Sequence, residues 1–123
     1  MKTVLIVEDN DKNLKLLRDV LQANGYATLE AMTGGAGIAL AAGQRPDLIL
    51  MDIQLPDMNG AAALQRLRGE SATAAIPVLA VTASVMQNER NGIVAAGFDG
   101  FLGKPFALRE LLALVRDTLE KRR

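Results

Sequence analysis

Three acidic residues and one lysine stand where a folded sheet would gather them. Glu8 and Asp9 follow the apolar run Val4-Leu5-Ile6-Val7, and Asp52 follows Leu48-Ile49-Leu50-Met51. Each run, apolar throughout and rich in branched side chains, reads as a buried strand. Acids at the ends of two such strands would meet at one sheet edge. Two carboxylates about 4 Å apart repel by roughly 4 kcal/mol at an effective dielectric of 20. Such a cluster persists only where a cation or a proton is shared, so it marks a site. The chain has neither His nor Cys. The donor set is therefore oxygen alone, which suits a hard cation, Mg²⁺ first and Mn²⁺ as its substitute.

Two further residues complete the set. Thr82 ends the apolar run Val78-Leu79-Ala80-Val81 and offers a hydroxyl, and Lys104, ahead of Pro105, offers an ammonium as a point charge for phosphate. Acids, a metal, a hydroxyl and a lysine describe a phosphoryl-transfer site with an acidic nucleophile. The loop after the first run, Glu8-Asp9-Asn10-Asp11, is acidic and would repel a phosphate unless a metal intervened. That excludes the backbone-amide phosphate cradles of flavodoxins and P-loop proteins. A phosphatase of the dehalogenase type needs a second Asp two residues after its nucleophile, and position 54 is Gln54.

The elements that must position these residues alternate along the whole chain. Strands are predicted over Thr3–Val7, Ala27–Ala31, Leu48–Asp52, Val78–Thr82 and Gly100–Gly103. Helices are predicted over Asp11–Asn24, Gly35–Ala42, Asn59–Arg68, Val85–Ala96 and Ala107–Lys121. Asn24-Gly25 and Ala96-Gly97 read as helix ends closed by a left-handed glycine. Asn59 caps the third helix, and Ser84 with Gln87 forms a capping box for the fourth. Leu108, Leu111, Leu112, Val115 and Leu119 form the core stripe of the fifth, with Leu114 beside it. Thr33-Gly34-Gly35-Ala36-Gly37 reads as a flexible loop and a weak second helix, since each helical glycine costs about 1 kcal/mol. Lys121-Arg122-Arg123 complements the last helix dipole. Five βα units give the α/β class, a doubly wound parallel sheet with helices on both faces. In such sheets ligands bind beyond the carboxyl ends of the strands, which is where Glu8, Asp9, Asp52 and Thr82 fall.

Composition narrows the function. At 123 residues the chain fits one domain. Lys+Arg and Asp+Glu both total 14, so no net field draws it to nucleic acid or anionic lipid. Four aromatics, Tyr26, Phe98, Phe101 and Phe106, are too few for a base-stacking platform. No apolar run approaches the roughly 20 residues that span a membrane. Met1-Lys2-Thr3 leads straight into a strand without a signal peptide, so the expected location is the cytoplasm.

Val7-Glu8-Asp9-Asn10, Met51-Asp52-Ile53-Gln54-Leu55-Pro56, Val81-Thr82-Ala83 and Lys104-Pro105-Phe106 together resemble the motifs of two-component receiver domains, the CheY-like family. The resemblance covers essentially the whole chain, in order. It implies a flavodoxin-like, CheY-like three-layer sandwich with strand order 2-1-3-4-5. It also implies that Asp52 is the phosphoacceptor, attacking a partner's phosphohistidine. Asp9 would bind Mg²⁺ directly, Glu8 through water, and Asp52 and the backbone carbonyl of Gln54 would complete the ligands. Lys104 and the Thr82 hydroxyl would meet the phosphoryl group, and Pro105 would follow a cis peptide bond. Thr82 and Phe101 would form the switch pair, Phe101 standing where the family usually has Tyr, without its hydroxyl. Gln54 and Ser84 would flank the phosphoryl group and influence its lifetime.

Taken singly, each of these residues has a plainer role: a strand-end cap, a helix-start acid, a β-branched strand residue, a solvated lysine or a core aromatic. Their joint occurrence is what the resemblance explains. The expected protein is a single receiver domain over residues 1–123 with no output domain, a switch that catalyses only its own phosphorylation and autodephosphorylation. Its partners would be a sensor histidine kinase or histidine phosphotransferase, and a downstream protein docking on the fourth helix, fifth strand and fifth helix. Neither nucleic acid nor membrane is expected. The motifs look like those of DivK-type single-domain regulators. A receiver excised from a hybrid histidine kinase shares much of the pattern. A Mg²⁺-dependent phosphatase, or a pseudo-receiver that only binds partners, are the readings from other classes.

Overall fold

The computed structural model describes residues 1–83 and 87–121. The strands are β1 (Thr3–Val7), β2 (Ala27–Ala31), β3 (Leu48–Asp52), β4 (Val78–Thr82) and β5 (Gly100–Gly103). The helices are α1 (Asp11–Ala23), α2 (Gly34–Gln44), α3 (Gly60–Arg68), α4 (Gln87–Ala96) and α5 (Leu108–Lys121). All pairings are parallel, in the order β2-β1-β3-β4-β5. The chain winds one way from β1 to β2 and the other way from β3 onward, so the order reverses between β1 and β3. Glu8 leaves one of those strands, and Asp52 ends the other.

Side-chain alternation sorts the core into two layers. Val4, Ile6, Leu48, Leu50, Leu79 and Val81 face α1 and α5, where Leu14, Leu17, Leu21, Leu111 and Val115 meet them. Leu5, Val7, Ile49, Met51, Val78 and Ala80 face the other way, toward Ala41, Leu64, Leu67 and Ile93 of α2, α3 and α4. β3 and β4, in the middle of the sheet, are buried along their whole length. β2 is an edge strand and is only partly covered.

Helix ends follow local chemistry. The Asn10, Thr33 and Asn59 side chains accept from the N–H groups of Asn13, Ala36 and Ala62, capping α1, α2 and α3. Gly25 and Gly97 take positive φ angles of 90° and 103° in the turns after α1 and α4. At α5 the Glu110 carboxylate reaches back to the Ala107 N–H at 3.4 Å, one half of a capping box around a residue that has no side-chain acceptor.

Two expectations need correction. Residues 33–37 are not a flexible loop: Thr33 is the cap and Gly34 begins a helix that runs to Gln44, past the expected Ala42. The glycines there serve close packing, because a Cβ on Gly37 would lie 2.7 Å from Val7 Cγ2. On α5, Leu108 is 45% exposed and leaves the stripe, while Thr118 joins it, buried with its hydroxyl donating to the Leu114 carbonyl. Thr118 fits because that intrahelical bond satisfies its only donor. Leu114 is half-buried and packs at the margin of the core. The expected cap at Ser84, the first residues of the fourth helix, and Arg122 and Arg123 lie outside the described residues.

Candidate phosphoryl-transfer site

The register of the sheet assembles the cluster. Val7 pairs with Met51, Asp52 with Val81, and Thr82 with Gly103, so β1, β3, β4 and β5 end nearly level. The residues that follow or close them, Glu8, Asp52, Thr82 and Lys104, emerge at one edge. Asp52 keeps step with Leu48 and Leu50, on the face that carries α1 and α5. Ligand oxygens of Glu8, Asp9 and Asp52 all lie within 4.8 Å of one another.

Lys104 closes the cluster. Its Nζ donates to Glu8 Oε1 at 2.9 Å and to Asp52 Oδ2 at 3.1 Å. Neighbouring backbone groups engage the other oxygens: the Asn10 N–H donates to Glu8 Oε2 at 3.2 Å, and the Gln54 N–H to Asp52 Oδ1 at 2.9 Å. Glu8 is 1% exposed and Asp52 8%, whereas Asp9 points to solvent. Burial pushes the Glu8 carboxyl above its ordinary value of 4.5, against the pull of Lys104 and with the added push of Asp52. The Lys104 ammonium is held above its ordinary 10.5; burial opposes this, and its bonds to Glu8 and Asp52 prevail. Lys104 therefore stays charged, a fixed cation between two carboxylates.

The backbone around Lys104 is tied as well. Its N–H donates to the Thr82 carbonyl at 2.7 Å, and the Lys104–Pro105 peptide bond is cis. Thr82 is buried but keeps step with Val78 and Ala80, on the opposite face of the sheet from Asp52. There it lines a cleft of about 580 Å³ with Ile53, Gln54, Ile93 and Phe98. Phe101 packs on the same side, paired in register with Ala80. The structure thus brings Glu8, Asp9, Asp52 and Lys104 into one cluster, and puts Thr82 and Phe101 together behind it. Ser84 lies outside the described residues.

One residue of this region was not singled out in the sequence. Asp57 sits in the loop between β3 and α3 and accepts from the N–H groups of Gly34 and Gly35 at the start of α2. An aspartate after Pro56 reads as an ordinary turn residue. Nothing in its local sequence points to a partner more than 20 residues away.

Comparison with known proteins gives a consistent answer. The family model for the response regulator receiver domain matches residues 4–116. The polar-differentiation response regulator DivK of Brucella anthropi is 39% identical over 118 residues, covering 96% of each chain. Among solved structures, the receiver domain of a sensor histidine kinase from Pseudomonas aeruginosa PAO1 superposes with a TM-score of 0.89 at 31% identity, covering 97% of this chain and 98% of that one. That receiver carries a magnesium ion coordinated in its active-site cleft. The chemotaxis response regulator CheY4 of Vibrio cholerae gives a TM-score of 0.89 at 29% identity, over 95% of this chain and 98% of that one.

Proposed function

The chain belongs to the response regulator receiver domain family, and from that premise we propose that Asp52 is the phosphoacceptor of a Mg²⁺-dependent phosphorelay switch. The observation that carries the assignment is the Lys104 ammonium bridging Asp52 and the buried Glu8, with the second Asp52 oxygen fixed by the Gln54 N–H. A carboxylate held this way is oriented as well as charged. One of its oxygens attacks the phosphorus of a partner's phosphohistidine. The new P–O bond forms as the P–N bond breaks, and the electron pair leaves with the imidazole nitrogen, which takes up a proton. This chain has no His, so the phosphohistidine lies outside it, on a histidine kinase or a histidine phosphotransferase.

The residues fit a hard divalent cation, Mg²⁺ or Mn²⁺, by the chemistry of their donors: carboxylates and one carbonyl, all oxygen. Asp9, Asp52 and the Gln54 carbonyl would hold it directly. Glu8 would act through water, the role that the family resemblance implies for it. When bound, such a cation offsets the charge of the carboxylates and of the incoming phosphoryl oxygens. Lys104 turns from Asp52 to those oxygens, and the Thr82 side chain moves from its place behind the cluster so that its hydroxyl donates to them. Thr82 and Phe101 share a face of adjacent strands, which supports their pairing as the switch that carries the change to α4, β5 and α5, where a downstream protein would dock. By the family pattern, Gln54 and Ser84 would bear on the lifetime of the phosphoryl group. On this reading the domain turns over only its own phosphoryl group.

The test is direct. Acetyl phosphate with Mg²⁺ adds the mass of one phosphoryl group to the intact protein, and Asp52→Asn takes up none. Equal labelling of the two proteins would sink the assignment.

A further inference from the structure

We propose that Asp57 is a positioning residue for the phosphoacceptor site, clamping the loop that carries Gln54 to the start of α2. The proposal rests on the reading of Glu8, Asp9, Asp52 and the Gln54 carbonyl as the cation site.

Residues 53–59 join β3 to α3. The base of this loop is closed by the Gly60 N–H donating to the Ile53 carbonyl at 2.7 Å and by an antiparallel bridge between Gln54 and Asn59. The base also carries the chemistry, since the Gln54 N–H holds Asp52 and its carbonyl is a proposed ligand. The Ile53 N–H also donates to the Val81 carbonyl at 3.1 Å, so the start of the loop is anchored to β4, while none of these bonds reaches the tip. Other contacts hold the tip. Leu55 enters the core, and Met58 packs over Gly34. Asp57 Oδ1 accepts from the Gly34 N–H at 2.8 Å, and Oδ2 from the Gly35 N–H at 2.9 Å. Two charge-assisted bonds, one to each oxygen from consecutive amides, fix the plane of a carboxylate as well as its position.

The clamp is more than a helix cap. α2 already has Thr33, whose hydroxyl accepts from the Ala36 N–H at 3.1 Å. The paired glycines leave the approach open: a Cβ on Gly34 would lie 2.6 Å from Met58 Cγ, and one on Gly35 3.4 Å from Asp57 Oδ2. The amides of Gly35 and Gly34 hold the Asp57 carboxyl below its ordinary 3.8, so the clamp is charged at neutral pH. Without it, Leu55 and Met58 still keep the tip near the core, but apolar contacts are non-directional. The Gln54 peptide would then lose its set orientation. Its N–H serves the nucleophile and its carbonyl the cation, so both would drift together.

The experiment compares the full chain with Asp57→Ala, Asp57→Asn and the control Asp52→Asn. Mg²⁺ is titrated without any phosphodonor and followed by calorimetry and by backbone-amide NMR. In Asp57→Ala the Mg²⁺ midpoint should rise about 3- to 10-fold. That is less than the roughly 10- to 100-fold typical of groups bonded directly to a ligand, because Asp57 acts through intervening backbone. Asp57→Asn keeps one acceptor oxygen and should shift the midpoint less, in the same direction. Labelling by acetyl phosphate should fall at limiting Mg²⁺ and recover as Mg²⁺ is raised. In metal-free protein the Gln54 amide should exchange faster in Asp57→Ala than in the parent. If Asp57→Ala does not fold, Asp57→Asn decides. Folded variants with lower stability but the parent's Mg²⁺ midpoint would reduce Asp57 to a cap and overturn the proposal. Labelling of Asp52→Asn would instead overturn the reading of the site itself.

Discussion

Three carboxylates share one ammonium at this site, and that imbalance sets the chemistry of individual residues. Lys104 is committed to Glu8 and Asp52, which among the described residues leaves Asp9 as uncompensated negative charge beside them. Neutralising Asp9 should therefore stabilise the metal-free protein. Asp9→Asn is expected to raise unfolding free energy in chelator by about 1 kcal/mol, the scale of one like-charge contact near the surface. Removing the ammonium should do the opposite. Lys104→Met leaves two buried carboxylates facing each other, and should cost about 2–3 kcal/mol, below the full penalty for breaking a wholly buried pair because the lysine is partly exposed. Urea unfolding of the three proteins in chelator checks both signs. At this scale the sequence was informative: acids at strand ends, in a chain with no His or Cys, pointed to a hard cation. It did not show that both oxygens of Glu8 are engaged, because the Asn10 amide comes from backbone geometry. Asp57 was missed for a similar reason, since its partners are backbone N–H groups that carry no signature in sequence.

The elements show why some boundaries were legible and others were not. All five strands fall where they are predicted; for β1, β3 and β4 the reason is that a strand buried on both faces has few alternatives, whereas the edge strands β2 and β5 are only partly covered. The second helix was harder. Its glycines lower intrinsic propensity, and the packing of α2 on β1 and the 53–59 loop explains Gly34, Gly35 and Gly37 but not Gly43. Two of them should respond oppositely to alanine. Gly37→Ala drives a Cβ to 2.7 Å from Val7 Cγ2, and overpacking there should destabilise by about 1–3 kcal/mol in spite of better helix propensity. Gly43→Ala meets nothing within 4 Å and should stabilise by up to about 1 kcal/mol. Thermal unfolding of the pair measures the contrast, and a stabilised Gly37→Ala would contradict the packing account. On α5 the stripe was read from spacing alone. Leu108, the first residue of α5, departs from it and is exposed.

For the whole molecule, cation binding and folding are one linked equilibrium. A ligand that binds the folded state alone stabilises it by about 2.7 kcal/mol at 100 times its dissociation constant. Mg²⁺ should therefore raise the melting temperature of the parent and leave Asp9→Asn nearly unmoved, which thermal scans with and without chelator would reveal. An equal shift in both proteins would place the ion elsewhere. Among the described residues, no helix is long and apolar enough to cross a membrane. By itself the sequence determined the α/β class, the strand positions and the residue types of the site, because burial and chemistry are written locally as apolar runs and donor atoms. The strand order came from the resemblance of its motifs. Only the tertiary structure decided which residues touch. Register leveled the strand ends, alternation set Asp52 and Lys104 on one face and Thr82 on the other, and the tip of one loop met the start of a distant helix. Those are relations between elements, fixed by how their surfaces pack, and no stretch of chain contains them alone.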